Sequence, residues 1–207
     1  GRKYRVVLSA CDPAKTTTSN EVVLTMAKAS QTINVTTAAP SSKVYNGTFT
    51  VAATATSGLP VCYTAGGKLS NAGATFTMTS GTGSGTVTYS QAGDNNYNAA
   101  EAVVETVTAE KANATISVTG FSGAYVPGAV RGATGTATGV KNEDLSSLLD
   151  LGATYTNVPG GAANWSFAGN DDYNSDGGTV QIAIRKASQS INVTTAAPSS
   201  KVYNGTF

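Results

Sequence analysis

Apolar and polar residues alternate along the chain in short bursts of period two, the signature of half-buried strands. Tyr4, Val6 and Leu8 share one face of the first burst, and Val22, Leu24 and Met26 share one face of the second, with the polar stretch CDPAKTTTSN at 11–20 between them. Ile33 and Val35, then Phe49, Val51 and Ala53, then Phe76 and Met78, then Val87 and Tyr89 continue the pattern. They predict strands over 32–35, 48–55, 60–64, 74–79, 85–90 and 102–108. Turn chemistry falls between these strands, at Tyr45-Asn46-Gly47, Ser57-Gly58, Ala65-Gly66-Gly67 and Gly81-Thr82-Gly83. A further set is predicted over 114–118, 130–138, 153–157, 162–168 and 179–184, in which Trp165 and Phe167 share one face of their strand, as do Val180, Ile182 and Ile184 of theirs. One stretch changes period. From 141 to 152, Asn142 is placed to cap a helix, Glu143 and Asp144 sit in its first turn, and Leu145, Leu148 and Leu149 face one way before Gly152. A short helix near 142–150 is expected there.

The strands repeat as a set. SQTINVTTAAPSSKVYNGTF at 30–49 returns at 188–207 with Thr32 replaced by Ser190, a period of 158 residues that marks an array of modules. Lys-Ala pairs at Lys28-Ala29, Lys111-Ala112 and Lys186-Ala187 each precede a T/S-I-x-V or S-I-N-V strand, at intervals of 83 and 75 residues. The period is therefore two related domains, 28–110 and 111–187, flanked by the closing strands of one domain at 1–27 and the opening of another at 188–207. Strands this short, with turns every eight to twelve residues, indicate a sandwich or a barrel, and domains of about eighty residues favour the sandwich, so an all-β chain of tandem sandwiches is expected. No Pro- or Gly-rich linker intervenes, so directly abutted modules of a longer repetitive protein are expected.

Composition narrows the function. Thirteen Lys and Arg against twelve Asp and Glu leave a net charge of +1. Without a charged field, nucleic acid and anionic membrane surfaces lose their electrostatic handle. Apolar runs are far shorter than the roughly 20 residues that span a bilayer. Cys11 and Cys62 fall in different domains, which predicts two free thiols rather than a disulfide framework.

GRKYRVVLSA with SNEVVLTM, over the first 26 residues, resembles the last two strands of a fibronectin type III or related immunoglobulin-like sandwich, with Tyr4 where such domains place the corner tyrosine. KASQTI at 28–33, SGLPV at 57–61 and SQAGDNNYNAA at 90–100 resemble one type of bacterial immunoglobulin-like repeat found in large surface and secreted proteins. The segment 120–174 is similar to a companion, MBG-like type, whose Tyr-Asp-Gly turn reads Tyr125-Val126-Pro127-Gly128 here and Tyr45-Asn46-Gly47 in the other domain. The resemblance implies tandem immunoglobulin-like β-sandwiches in an exported, stalk-forming or adhesive protein at the bacterial surface. A fold of this kind confers no ligand by itself.

Candidate chemistry is sparse. The loop Ala92-Gly93-Asp94-Asn95-Asn96-Tyr97-Asn98 recurs as Ala168-Gly169-Asn170-Asp171-Asp172-Tyr173-Asn174. Its clustered oxygens suit a calcium ion. The first copy, however, carries one carboxylate, Asp94, and neither has the spaced D-x-D-x-D-G order of a calcium loop. Asp and Asn bonding their own backbone, with the tyrosine as anchor, is the expected reading, and no metal or cofactor is assigned. The chain has no His, so a Ser-His or Cys-His nucleophile is excluded. Glu143, Asp144, Asp171 and Asp172 are the carboxylates available for glycoside hydrolysis, but a helix start and a loop account for them, and no catalytic residue is assigned. Gly81 to Gly85 lacks the GK[ST] ending of a phosphate loop. Trp165, the sole tryptophan, is expected in the core with Phe167 rather than as a sugar platform. N-x-S/T triplets at Asn34, Asn46, Asn113 and Asn164 matter only in a eukaryotic secretory pathway. A non-catalytic spacer is therefore expected, whose partners are the neighbouring repeats. The alternative is a module that binds carbohydrate or host protein through exposed loops and tyrosines.

Overall fold

A computed structural model describes residues 2–9 and 16–194, and every described element but one is a strand. Cys11, the 195–207 part of the repeated segment and the side chain of Leu8 lie outside the described residues. The contacts divide the chain into two compact units, one of 1–113 with 170–174, the other of 114–169 with 175–207.

The first unit begins with β1 (Arg2–Tyr4), β2 (Val7–Ser9), β3 (Thr16–Thr18) and β4 (Val22–Leu24). β1 pairs with β4 and β2 with β3, as two separate two-stranded ladders. Two strands cannot bury a face, and Tyr4, Val6, Val22, Leu24 and Met26 are all more than half exposed. The Lys3–Glu21 ion pair at 3.0 Å is also exposed and adds little.

Then follow β5 (Ile33–Thr37), β6 (Ser42–Val44), β7 (Thr48–Thr50), β8 (Ala52–Ala55), β9 (Cys62–Gly67), β10 (Leu69–Ala72), β11 (Thr75–Met78), β12 (Ser84–Ser90) and β13 (Val103–Glu110). One side is formed by the β5–β8 pair and the sheet β10-β11-β7, the other by the sheet β6-β13-β12-β9. Val51, Leu69, Phe76 and Met78 from the first side pack in one buried cluster with Val87, Tyr89, Val107 and Ala109 from the second. Ile33, Val35, Phe49 and Ala53 pack around it, so the alternating positions face inward and the arrangement fits a β-sandwich. Tyr89 carries its hydroxyl into this core and donates to the Glu105 carboxylate at 2.6 Å, which also accepts the Ala39 amide at 2.8 Å. Burial first, and that bond second, push the Tyr89 phenol well above its ordinary value. Cys62 is a free, exposed thiol.

The second unit contains β14 (Thr115–Thr119), β15 (Phe121–Ala124), β16 (Thr134–Thr138), β17 (Leu149–Asp150), β18 (Gly160–Phe167) and β19 (Asp176–Arg185). β14 pairs with β16, and β15-β19-β18-β17 form the larger sheet. Ala163, Ile182 and Ile184 are buried against Phe121, Tyr125, Ala133, Tyr155 and Val180. Between 142 and 150 the structure holds a single 3-10 turn, Ser146–Leu148. Asn142 has φ of +63°, outside the helical region, and the Asp144 carboxylate accepts the Ser146 amide at 2.9 Å, closing a local turn instead. The strand expected over 130–138 begins at Thr134, and of the one expected over 153–157 there is a single bridge, Arg131 to Tyr155.

The two units share a crossover. β6 runs parallel to the end of β13, and β15 runs parallel to the end of β19, while the strand before each, β5 or β14, pairs antiparallel on the other side. This places Tyr45 and Tyr125 at matching points, each donating its amide to the final carbonyl of the last strand, Glu110 at 2.8 Å and Arg185 at 2.7 Å.

Candidate functional site

The two Ala-Gly-x-x-x-Tyr-Asn loops have the same internal geometry. Asp94 Oδ1 accepts the amides of Asn96 and Tyr97, both at 2.8 Å, and Asn170 Oδ1 accepts those of Asp172 and Tyr173, both at 2.9 Å. Each loop is closed by a further bond, from the Asp94 amide to the Tyr97 carbonyl and from the Asn170 amide to the Tyr173 carbonyl, both at 3.1 Å. Asp and Asn are interchangeable at this position because the turn needs one acceptor oxygen and no charge.

Each loop grips a Lys-Ala pair far away in sequence. Ala29 donates to Asn96 at 2.8 Å and accepts from the Asn98 amide at 2.9 Å, while the Asn98 side chain donates to the Lys28 carbonyl at 3.3 Å. Ala112 repeats this with Asp172 and Asn174, both at 2.9 Å, and the Asn174 side chain donates to the Lys111 carbonyl at 3.4 Å. The result is one parallel bridge per joint, Ala29 with Tyr97 and Ala112 with Tyr173. Within the first unit, the 170–174 segment is held further. Tyr173 stands edge-on to Tyr45 at 5.6 Å between ring centroids, and Asp172 Oδ1 accepts the Gly81 amide at 2.8 Å. Gly81 is required there, since a Cβ would come within 2.6 Å of the Asp171 carbonyl oxygen.

A buried amide pair sits beneath the first loop. Gln31 Nε2 donates to Gln91 Oε1 at 2.9 Å and to the Asn98 carbonyl at 2.7 Å, and Gln91 Nε2 donates to the Pro60 carbonyl at 3.2 Å. Gln91 Oε1 also accepts the Gly93 amide, and Gln31 Oε1 accepts the Ser57 hydroxyl. The stretches KASQTI, SGLPV and SQAGDNNYNAA therefore meet in one polar network. Alignment of the two loops puts Phe167 where the first unit has Gln91, and alignment of the Lys-Ala joints puts Ala114 where it has Gln31. Phe167 is 1% exposed. Replacing both members of a buried polar pair by apolar residues conserves the joint's shape, which marks the pair as structural. Sequence reasoning missed Gln31 and Gln91, although both lie in stretches it singled out.

The remaining candidates do local work. Glu143 accepts the Lys141 amide at 2.8 Å, and the Asp144 carboxyl is held below its usual range by the hydrogen bonds it accepts from Ser146. Asp172 is engaged by Gly81. Trp165 is half-buried opposite Gly178, where a Cβ would come within 2.9 Å of the indole. Among the described residues no three His, Cys, Asp or Glu side chains cluster as metal ligands, and no helix is long and apolar enough to cross a membrane. No family model matches the chain, and no curated protein matches it.

Proposed function

We propose that the chain is a non-catalytic spacer: tandem immunoglobulin-like sandwiches of a bacterial surface or secreted protein, in which 28–110 and 111–187 are two variants of one domain. The observation that carries this reading is the recurrence of the joint. Two loops that differ at three of seven positions bond their Lys-Ala pairs through the same backbone atoms, at nearly the same lengths. The polar side chains at those joints are engaged in turns and in a buried amide pair that leave few acceptors for a ligand. The sequence of 30–49 returns at 188–207 with one change, as an array of such domains requires.

The test is a binding survey with the whole chain. A glycan array and a panel of host extracellular-matrix proteins are expected to give no signal tighter than millimolar. Micromolar binding that is lost when the exposed Tyr4 or the half-buried Tyr97 is changed to Ala would favour a binding module instead.

A further inference from the structure

The last strand of each repeat ends beside the same parts, and in the second repeat they stand open. At the first site, Tyr45 receives the ring of Tyr173, the two are 7% and 2% exposed, and Ala112 is bridged by the loop that carries Tyr173. At the second, Tyr125 is half-buried and Ala187 and Gln189 are exposed. With Val158 and Lys186 they line an open recess of about 540 Å³.

We propose that this recess seats an Ala-Gly-x-x-x-Tyr-Asn loop of the 92–98 kind, carried by a domain that opens with the segment 188–207. That segment repeats 30–49 with one change, so the domain it opens is of the first type, and a first-type loop is the one that grips a Lys-Ala pair followed by Ser-Gln. One feature of the recess fits that loop better than the 168–174 kind. Gln189 stands where the first repeat has Gln31, ready to pair with a glutamine at the base of the loop, as Gln31 pairs with Gln91. The tyrosine ring, a large amphipathic anchor, enters beside Tyr125 as Tyr173 does beside Tyr45.

The proposal rests on the array reading for the existence of the partner domain, and it can fail while that reading stands. Fusing a copy of residues 50–110 after Phe207 completes a first-type repeat on the intact chain. Amide exchange at Ala187 is then compared with and without the extension. Protection is expected to rise at least 100-fold, to the level of Ala112, and to fall at least tenfold when the added counterpart of Tyr97 is changed to Ala. If the copied strands 84–90 and 103–110 of the extension are protected but Ala187 exchanges as in the unextended chain, the proposal is overturned and the array reading survives. If the extension does not fold although its twin at 28–110 does, both are overturned.

Discussion

Gly93 and Gly58 share a φ of +77°, yet they predict different losses when changed to alanine. An L residue in the left-handed region costs about 1–2 kcal/mol, partly offset by about 0.4–1 kcal/mol from a stiffer unfolded chain. At Gly58 a Cβ meets nothing within 4 Å, so Gly58→Ala should cost about 1 kcal/mol and nothing more. At Gly93 the Cβ lands on the Tyr97 carbonyl oxygen and lies 2.7 Å from the Asn98 carbonyl carbon. Those carbonyls must move; that of Tyr97 accepts the Asp94 amide at 3.1 Å and shares a peptide plane with the Asn98 amide, which donates to Ala29 at 2.9 Å. Each of these bonds is worth about 0.5–1.5 kcal/mol, so Gly93→Ala should cost about 2–4 kcal/mol in all. For a domain of this size each kcal/mol moves Tm by about 4–8 °C. Calorimetry should therefore show a drop of about 5 °C for Gly58→Ala and about 10–25 °C for Gly93→Ala. Amide exchange should show Ala29 deprotected only in the second. Equal losses in the two variants, or an Ala29 amide indifferent to Gly93→Ala, would refute the claim that the loop holds the joint.

Other outcomes follow from the same structure. Gln31→Ala leaves Gln91 buried without its side-chain partner and should cost about 1–3 kcal/mol. The pair Gln31→Ala with Gln91→Phe reproduces the second repeat's residues and should recover at least about 1 kcal/mol of that in a double-mutant cycle. The Tyr89 phenol is raised in the folded state, so its contribution is complete below its ordinary value of 10.0 and is lost as pH climbs past it. Urea melts at pH 9 and pH 11 should thus show a steeper loss in the wild type than in Tyr89→Phe, and parallel losses would contradict the Tyr89–Glu105 assignment. Chelator should leave both unfolding transitions in place. A Tm drop beyond about 10 °C, worth one to two kcal/mol or more in domains of this size, would return the Asp94 and Asn170 loops to calcium.

Strand faces were legible because burial imposes period two: Val51, Phe76, Met78, Val87, Tyr89, Phe167, Ile182 and Ile184 are buried as their alternation predicts. β6 and β15 were not legible. They are three and four residues long, and what makes them strands is a parallel partner about 60 residues later, β13 or β19. Leu145 and Leu148 imitated a helix because two leucines three apart suit a 3-10 turn equally well. At the joints, turn chemistry of Asp94 and Asn170 could be read from residue type, but the grip on Lys-Ala could not, since it is made by backbone atoms. Gln31 and Gln91 gave one overlooked signal: both are replaced by apolar residues in the second repeat, which a solvent-facing glutamine has no reason to accompany.

Stretching single molecules of the whole chain between its ends tests the central claim most directly, that 28–110 and 111–187 are two spacer domains that unfold separately. Each of about 75–83 residues releases a contour of roughly 250–300 Å at about 3.3–3.6 Å per residue. Two separate unfolding events of that size are predicted, with the same force distribution in the presence of glycans or chelator. One cooperative event of about twice the length, or unfolding forces that shift on adding a glycan, would contradict the account.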